Sequence, residues 1–296
     1  MSEIGMLQLS EEHLEWLCEQ IPDPARSPRG GRPPADKRRM LQGIFWILDN
    51  GAKWKDLPAL YGAKSTVHRW FQKWVRHGVF ETLMRRAGRC IEERNGFKLY
   101  ECFIDGTFAK ARGGGDGLGY TKAGKGVKIM VLVDARGLPV AVDTMSAAPH
   151  ESQLVQGLFD FLLTAQPPQR IIGDRAYDSD ALDEVLAQEG VEMIAPHRSN
   201  RKPQNVTQDD RALRRYQRRW KVERTIGWLQ HFRRLCIRWE KSTRLFQGFL
   251  HLSCALLLLK EVLGYLHVIF LHRSLACRAT APHRRTSRIH NIFIAA

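Results

Sequence analysis

Leu99-Tyr100-Glu101-Cys102-Phe103-Ile104-Asp105-Gly106-Thr107 is the stretch on which the fold turns. Its apolar and aromatic run, Leu99 to Ile104, reads as a β-strand that ends on an acid. Working outward, Val127–Val133, Pro139–Met145, Arg170–Ile172 and Val191–Ile194 read as further strands, and Asp134-Ala135-Arg136-Gly137 as a hairpin turn. Leu154–Leu163 and Ala181–Gln188 read as helices. Three strands in a meander, then helix, strand, helix, strand, predict a mixed α/β sheet with helices on its faces. After Val206 a long helical stretch is predicted to about Glu240, followed by the apolar run Leu245–Leu259. That run carries Gln247 and His251 and meets Lys260-Glu261. A membrane span needs ~20 apolar residues, so a buried core helix is predicted instead.

Upstream of the strands the pattern is helical. Residues 7–21 read as a short helix, ended by a Pro-, Gly- and Arg-rich loop from Pro22 to Pro34. Asp36 caps a run with Met40, Ile44, Ile47 and Leu48 at helical spacing, and Gly51 stops it. Trp54-Lys55-Asp56-Leu57-Pro58 begins another helix, and Gly62 turns the chain into Lys64-Ser65-Thr66-Val67-His68-Arg69-Trp70-Phe71. Helix, glycine turn, then a helix whose first turn is small, polar and basic suits a recognition helix in a major groove. An ordinary helical bundle with a solvated basic face reads the same way, and charge separates the two. The formal net charge is +15, with 17 Lys and Arg against 6 Asp and Glu between Arg26 and Lys98. A second basic block, 14 against 4, lies between Arg201 and Arg244, and the middle of the chain, from Leu99 to Asn200, is close to neutral or acidic. Two basic blocks around a non-basic centre point to nucleic acid. Lys64, Ser65, Thr66, His68 and Arg69 are the candidate DNA-reading residues.

The six cysteines lie far apart, and Met1-Ser2-Glu3-Ile4-Gly5 has neither the basic end nor the apolar run of a signal peptide. Free thiols in the cytoplasm, in association with the nucleoid, are the expectation.

Three motifs compete for the chemistry. Within the glycine-rich segment Gly113 to Gly126, Gly119-Tyr120-Thr121-Lys122-Ala123-Gly124-Lys125-Gly126 nearly fits a phosphate-binding loop. Gly126 stands where Ser or Thr would hold the cation, and a strand follows where a helix is required, so the segment is expected to be a flexible loop. The histidines and cysteines show no zinc spacing, and no serine nucleophile elbow exists. The acids are more informative. Asp105 follows one predicted strand, and Asp174 follows another in Ile171-Ile172-Gly173-Asp174-Arg175-Ala176-Tyr177-Asp178. Such carboxylates project where open α/β sheets build their sites, and Gly106 and Gly173 are expected to leave room for a ligand backbone. One such Asp is usually a turn residue, but two on neighbouring strands are harder to dismiss. Asp178 itself is expected to cap a helix. Glu223 is the third acid: at ~100° per residue, Tyr216, Arg219, Glu223 and Gln230 share one helix face, flanked by Trp220 and Ile226 and expected to turn inward. Three clustered acids repel unless divalent cations separate them, and hard oxygen donors suit Mg²⁺ or Mn²⁺.

Ile104-Asp105-Gly106-Thr107, Gly173-Asp174-Arg175-Ala176-Tyr177-Asp178-Ser179 and Trp220-Lys221-Val222-Glu223-Arg224 followed by Gly227-Trp228-Leu229 resemble the three signature regions of DDE transposases. The likeness is to bacterial insertion-sequence families four and five, and spans about residues 7–264. The resemblance implies a ribonuclease-H-like mixed-sheet catalytic core over residues 99–264, preceded by an all-helical, helix-turn-helix-like DNA-binding domain over 1–98. It implies Asp105, Asp174 and Glu223 as the catalytic, metal-binding triad, with Mg²⁺ as cofactor and Mn²⁺ able to substitute. Asp105 would bridge two ions, while Tyr216 and Arg219 orient the scissile phosphate. Gln230 stands where the family's helix motif carries Lys, which touches one phosphate contact and not the metal site. The implied activity is binding of the element's ends, DNA cleavage and strand transfer to target DNA, by a homodimer when ends are paired and without a membrane. The rival readings are a catalytically inactive or domesticated DNA-binding regulator, and a nuclease without strand transfer. A glycosidase would also use paired acids, but the charge disfavours it. The tail, residues 265–296, has five arginines and no acid, lies outside the resemblance, and is assigned no role.

Overall fold

The computed structural model describes residues 10–23, 34–201 and 210–279. Four helices come first: α1 (Glu11–Gln20), α2 (Lys37–Asn50), α3 (Lys64–Arg76) and α4 (Val79–Arg94). Asp36 caps α2 by accepting from the N–H groups of Arg38 and Arg39, and Gly51 ends it at φ 63°, a left-handed conformation that costs glycine little. The helix expected from Trp54 is instead two 3₁₀ turns, Trp54–Asp56 and Ala59–Tyr61, because Pro58 lacks the N–H that a longer helix needs.

Seven strands among the described residues then form one mixed sheet: β1 (Cys102–Ala111), β2 (Gly119–Thr121), β3 (Gly124–Val133), β4 (Pro139–Ser146), β5 (Arg170–Ile172), β6 (Glu192–Ile194) and β7 (Ile237–Arg238). The main path runs β4-β3-β1-β5-β6, antiparallel from β4 to β1 and parallel from β1 to β6. This is the ribonuclease-H-like order. β1 begins three residues later than expected and runs further, since its pairing with β3 continues from Phe103↔Val133 to Lys110↔Gly126. Asp105 therefore lies inside the strand and not at its end. On its other edge β1 pairs with β5 only at Cys102 and Phe103, and with β7 only at Lys110 and Ala111. Between these two contacts no strand pairs with that edge among the described residues.

Helices α5 (Val155–Phe159) and α6 (Asp180–Gln188) follow β4 and β5. The helix expected over Leu154–Leu163 is shortened to α5 and a preceding 3₁₀ turn, Glu151–Gln153. The long helix expected after Val206 is broken into α7 (Asp210–Leu213), a 3₁₀ segment Arg214–Arg218, α8 (Trp220–His231) and α9 (Arg233–Cys236), then β7. The glycine-rich segment is not a free loop either. It carries β2, and Cβ atoms at Gly115 and Gly117 would fall 1.9 Å from the Lys241 carbonyl oxygen and 2.4 Å from the Thr243 hydroxyl. Those glycines permit close backbone approach.

α10 (Thr243–Ala279) is the last element among the described residues, and the residues beyond 279 lie outside the described set. Thr243–Gly264 is long and apolar enough to cross a membrane, yet 78% of its most apolar window is buried in this fold. Phe246, Phe249, Leu250 and Leu258 of α10 join side chains of the first helices, such as Ile44, Phe71, Phe80 and Leu83, in one core that continues onto Phe103, Val131 and Val133 of the sheet. The opposite face packs Ile104, Met130 and Leu132 against Val155, Leu158, Leu182 and Leu186. The cysteines among the described residues are free thiols.

Candidate active site

Parallel pairing sets the first two acids side by side. Phe103 is in register with Ile172, and Asp105 and Asp174 each stand two residues further on. Burial pushes the Asp105 carboxyl up to about 6, against the lowering effects of the Arg219 guanidinium and the Gly106 N–H. Asp174 and Glu151 add to the rise as like charges. Asp174 is fixed by accepting from the Ala176 N–H at 2.8 Å, which caps the 3₁₀ turn Arg175–Tyr177.

α8 packs on the face of β1 and β3 and carries the third acid. Val222, Ile226 and Leu229 bury its inner face. Three polar side chains dock it onto the β3–β4 turn: Lys221 Nζ donates to the Ala135 carbonyl at 2.5 Å, Arg224 to that of Arg136 at 2.6 Å, and the Thr225 hydroxyl to that of Gly137 at 2.7 Å. Arg224 is also sandwiched by Trp220 and Trp228, at 4.9 and 4.6 Å from their ring centres. Glu223 points away from this packing and is 52% exposed, and Trp220 is 50% exposed, so this face is less inward than expected. Tyr216 and Arg219 precede α8, Tyr216 in the 3₁₀ segment and Arg219 at the helix N-cap, so helical periodicity does not align the four residues.

What joins the acids is Arg219. One of its nitrogens lies 3.1 Å from Asp105 Oδ2 and the other donates to Glu223 Oε1 at 2.6 Å. Its guanidinium also lies 5.7 Å from the Tyr216 ring centre. A cation held between two carboxylates shows what charge this pocket is built to accept. The donor set is all oxygen, which fits a hard divalent ion. With Arg219 in place, no three His, Cys, Asp or Glu side chains among the described residues gather closely enough to hold one. Gln230, seven residues past Glu223, donates to the Thr107 hydroxyl at 2.9 Å and ties the far end of α8 to β1.

Comparison with known proteins identifies the family to which this fold belongs. A family model described as "Transposase DDE domain" matches residues 96–258. The chain belongs to the DDE transposases of bacterial insertion sequences. Residues 9–84 match a second model, described as "Putative transposase of IS4/5 family". A relative from Burkholderia cepacia, "Putative transposase for insertion sequence element IS402", is 33% identical over 144 residues, covering 46% of this chain and 64% of that protein. The chain thus spans just under two thirds of that relative's length. "Putative transposase for insertion sequence element IS6501" from Brucella ovis is 31% identical over 137 residues, covering 45% of this chain and 98% of that protein. Among solved structures, a piggyBac transposase synaptic complex with hairpin DNA aligns over 92% of this chain and 79% of its own, at 12% identity and a TM-score of 0.46.

The transposase displays its candidate recognition residues unevenly. Lys64, Ser65 and Arg69 are exposed on α3 and Thr66 is half-buried. His68 turns instead onto Trp54, with ring centres 4.5 Å apart, and burial with nearby Arg234 lowers its pKa. The glycines beside the acids are also corrected. A Cβ at Gly173 would meet the Tyr177 ring at 2.5 Å, and one at Gly106 would meet Met130 Sδ at 3.0 Å and the Glu151 carboxyl carbon at 3.3 Å. The space they leave is filled by the protein itself. Asp178 is no helix cap: its carboxyl accepts from the Arg198 N–H at 2.7 Å and pairs with His197 and Arg201. Burial raises its pKa, but these three partners outweigh that and hold it low. Two site-building acids escaped the sequence reading. Glu101, 3% exposed, accepts from Arg218 at 2.6 Å and so anchors the 3₁₀ segment that carries Tyr216. Glu151 stands against Gly106, and the only sequence signal for it is an acid shortly after the third strand of the meander.

Proposed function

We propose that this transposase binds the ends of its insertion sequence, cuts DNA there and joins the freed 3′-hydroxyl to target DNA. The observation that carries this is Asp105 within β1 and Asp174 just past the end of the parallel neighbour β5, with Asp105 linked to Glu223 through the Arg219 guanidinium. Asp105, Asp174 and Glu223 would hold divalent ions, Mg²⁺ or Mn²⁺, which when bound stabilise the charge on the attacking and leaving oxygens of an in-line displacement. In the cut, a water oxygen attacks phosphorus and the bond to the 3′-oxygen breaks, leaving a 3′-hydroxyl and a 5′-phosphate. In joining, that 3′-hydroxyl attacks a target phosphodiester and the target's own 3′-oxygen departs. Once its carboxylates are neutralised, Arg219 is free to grip the scissile phosphate by paired hydrogen bonds, with Tyr216 beside it. Lys64, Ser65, Thr66 and Arg69 on α3 would read the terminal repeats, with His68 bracing the helix against Trp54. Two ends must be brought together, so the working form is a homodimer on DNA.

The test is Mg²⁺-dependent nicking and joining of DNA carrying the element's end. Asp105→Asn, Asp174→Asn and Glu223→Gln should each fold, bind DNA and lose cleavage, while Glu184→Gln on the exposed side of α6 should cut like the wild type. Arg69→Ala should weaken end binding and lower the salt slope by about one. Substantial cleavage by any of the three triad variants would sink this assignment, and cutting without joining would leave a nuclease.

A further inference from the structure

The glycine-rich segment, which the proposed chemistry leaves unused, forms an arm of the sheet. The β1–β3 ladder ends at Lys110↔Gly126, and beyond it β2 and β3 continue as a pair through Tyr120↔Lys125 and Thr121↔Gly124. The tip is a closed turn: the Ala123 N–H donates to the Thr121 hydroxyl at 3.1 Å, and that hydroxyl donates to the Gly124 carbonyl at 3.2 Å. The base is clamped at two places. Asp116 accepts from the Thr243 hydroxyl at 2.7 Å and from Arg238 at 3.0 Å, and its own N–H donates to the Lys241 carbonyl. A Cβ at Gly119 would lie 2.1 Å from the Ala148 nitrogen, so β2 lies directly against the chain that leaves β4.

What this arm carries into solvent is basic and aromatic. Residues 110–125 hold four cations, Lys110, Arg112, Lys122 and Lys125, against one acid, Asp116, which Arg238 and Thr243 already engage. None of the four pairs with a carboxylate among the described residues. Tyr120 is 73% exposed, and Lys125 Nζ lies 5.3 Å from its ring centre. Such a ring and such charges add little to folding stability, but together they suit a polyanion. Position decides which polyanion. Side chains alternate along a strand, so Lys125, with Tyr120 opposite it, shares a sheet face with Val131 and its partner Asp105. From Val131 to Lys125 along β3 is roughly 20 Å at ~3.3 Å per residue. Duplex DNA rises ~3.4 Å per base pair, so the arm stands about six base pairs from a phosphate held at Asp105.

We propose that the β2–β3 arm binds duplex DNA, with Lys122, Lys125 and the Tyr120 hydroxyl on backbone phosphates about six base pairs from the cut. The proposal rests on the DNA-cutting reading above. The lysines act as point charges and the tyrosine hydroxyl donates to a phosphate oxygen, so the contact is independent of base sequence. The same phosphodiester chemistry is offered by the element's own end, by the DNA that flanks it and by the target, and the test separates the three.

The experiment is fluorescence anisotropy of the full-length chain, at several salt concentrations, on three labelled duplexes. These are the element's end stopping at the cut bond, the same end with flanking DNA, and a duplex of unrelated sequence. Lys122→Ala/Lys125→Ala should lower the salt slope by about two on at least one duplex, and Tyr120→Phe should weaken binding there about two- to tenfold. Loss on the bare end assigns the arm to the element, loss only with the flank assigns it to flanking DNA, and loss only on the unrelated duplex assigns it to the target. Arg89→Ala/Lys260→Ala, which removes two exposed cations from α4 and α10, should keep the wild-type slope. Circular dichroism checks folding, and Lys122→Gln/Lys125→Gln replaces the alanine pair if that does not fold. Wild-type affinity and slope on all three duplexes, or an equal loss in the Arg89 and Lys260 variant, refutes the arm. In that event the proposed function still stands if Arg69→Ala weakens end binding. If the wild type binds none of the duplexes, that function falls and the arm with it.

Discussion

Arg219 holds the resting site together. It and Asp105 are 16% and 17% exposed, so their pairing is only partly weakened by water, whereas half-exposed Glu223 contributes less. Removing the guanidinium leaves Asp105 facing Asp174 and Glu151 with no nearby cation of its own. Arg219→Gln should therefore cost about 1–3 kcal/mol in metal-free buffer, below the 3–5 of a fully buried broken pair. Mn²⁺ should recover part of that loss, since the ion replaces the missing charge. Urea unfolding with EDTA and with Mn²⁺ measures both effects. A variant as stable as the wild type in EDTA would show that Arg219 is not the counter-charge. The same residue shows the limits of sequence reading. Its place beside Glu223 was legible from the motif, but its grip on Asp105 joins positions more than a hundred residues apart, which spacing cannot reveal.

At the scale of elements, the segment from Arg214 to His231 decides how Tyr216 and Glu223 meet. Periodicity alone predicts one helix there, because apolar residues recur throughout at helical spacing. The chain breaks it into a 3₁₀ segment and α8 because tertiary ties fix the two halves separately: Glu101 holds Arg218, while the β3–β4 turn holds Lys221, Arg224 and Thr225. Glu101→Gln should lower stability by about 1–3 kcal/mol, since a buried acid loses its paired charge. It should also slow cleavage by loosening the segment that carries Tyr216. Thermal unfolding and the nicking assay check the pair, and normal rates with normal stability would remove Glu101 from the positioning of the site. The longer strands were readable because β3 and β4 are largely apolar and mostly buried. β2 and β7, at three and two residues, are too short and too polar to show a pattern.

Across the whole molecule, α10 is the element on which both halves lean, and His251 is a buried titratable residue on it. Burial holds the His251 pKa down to about 4, with Arg85 lowering it further and Glu81 opposing. The folded value is below the ordinary 6.5, so the unfolded chain binds the proton first. Stability from this residue is complete above pH 6.5 and lost as the pH falls toward 4. Between about pH 7.5 and pH 4.5 the loss should be on the order of 2–3 kcal/mol. His251→Leu should flatten that part of the profile in denaturant unfolding. An unchanged slope would mean that His251 is hydrated and titrates normally.

The shared core has a mechanical consequence. Side chains from α2, α3 and α4 and from the sheet interlock with α10 in one continuous packing, which links the proposed reading helix to the strand that carries Asp105. Within one chain the molecule then works as a caliper of fixed jaw width. On the proposed function, the number of base pairs from the recognised repeat to the cut phosphate would be set by the protein's own dimensions, not by a flexible tether. Each inserted base pair would both lengthen the gap and rotate the scissile bond around the duplex axis, away from the jaw that cuts.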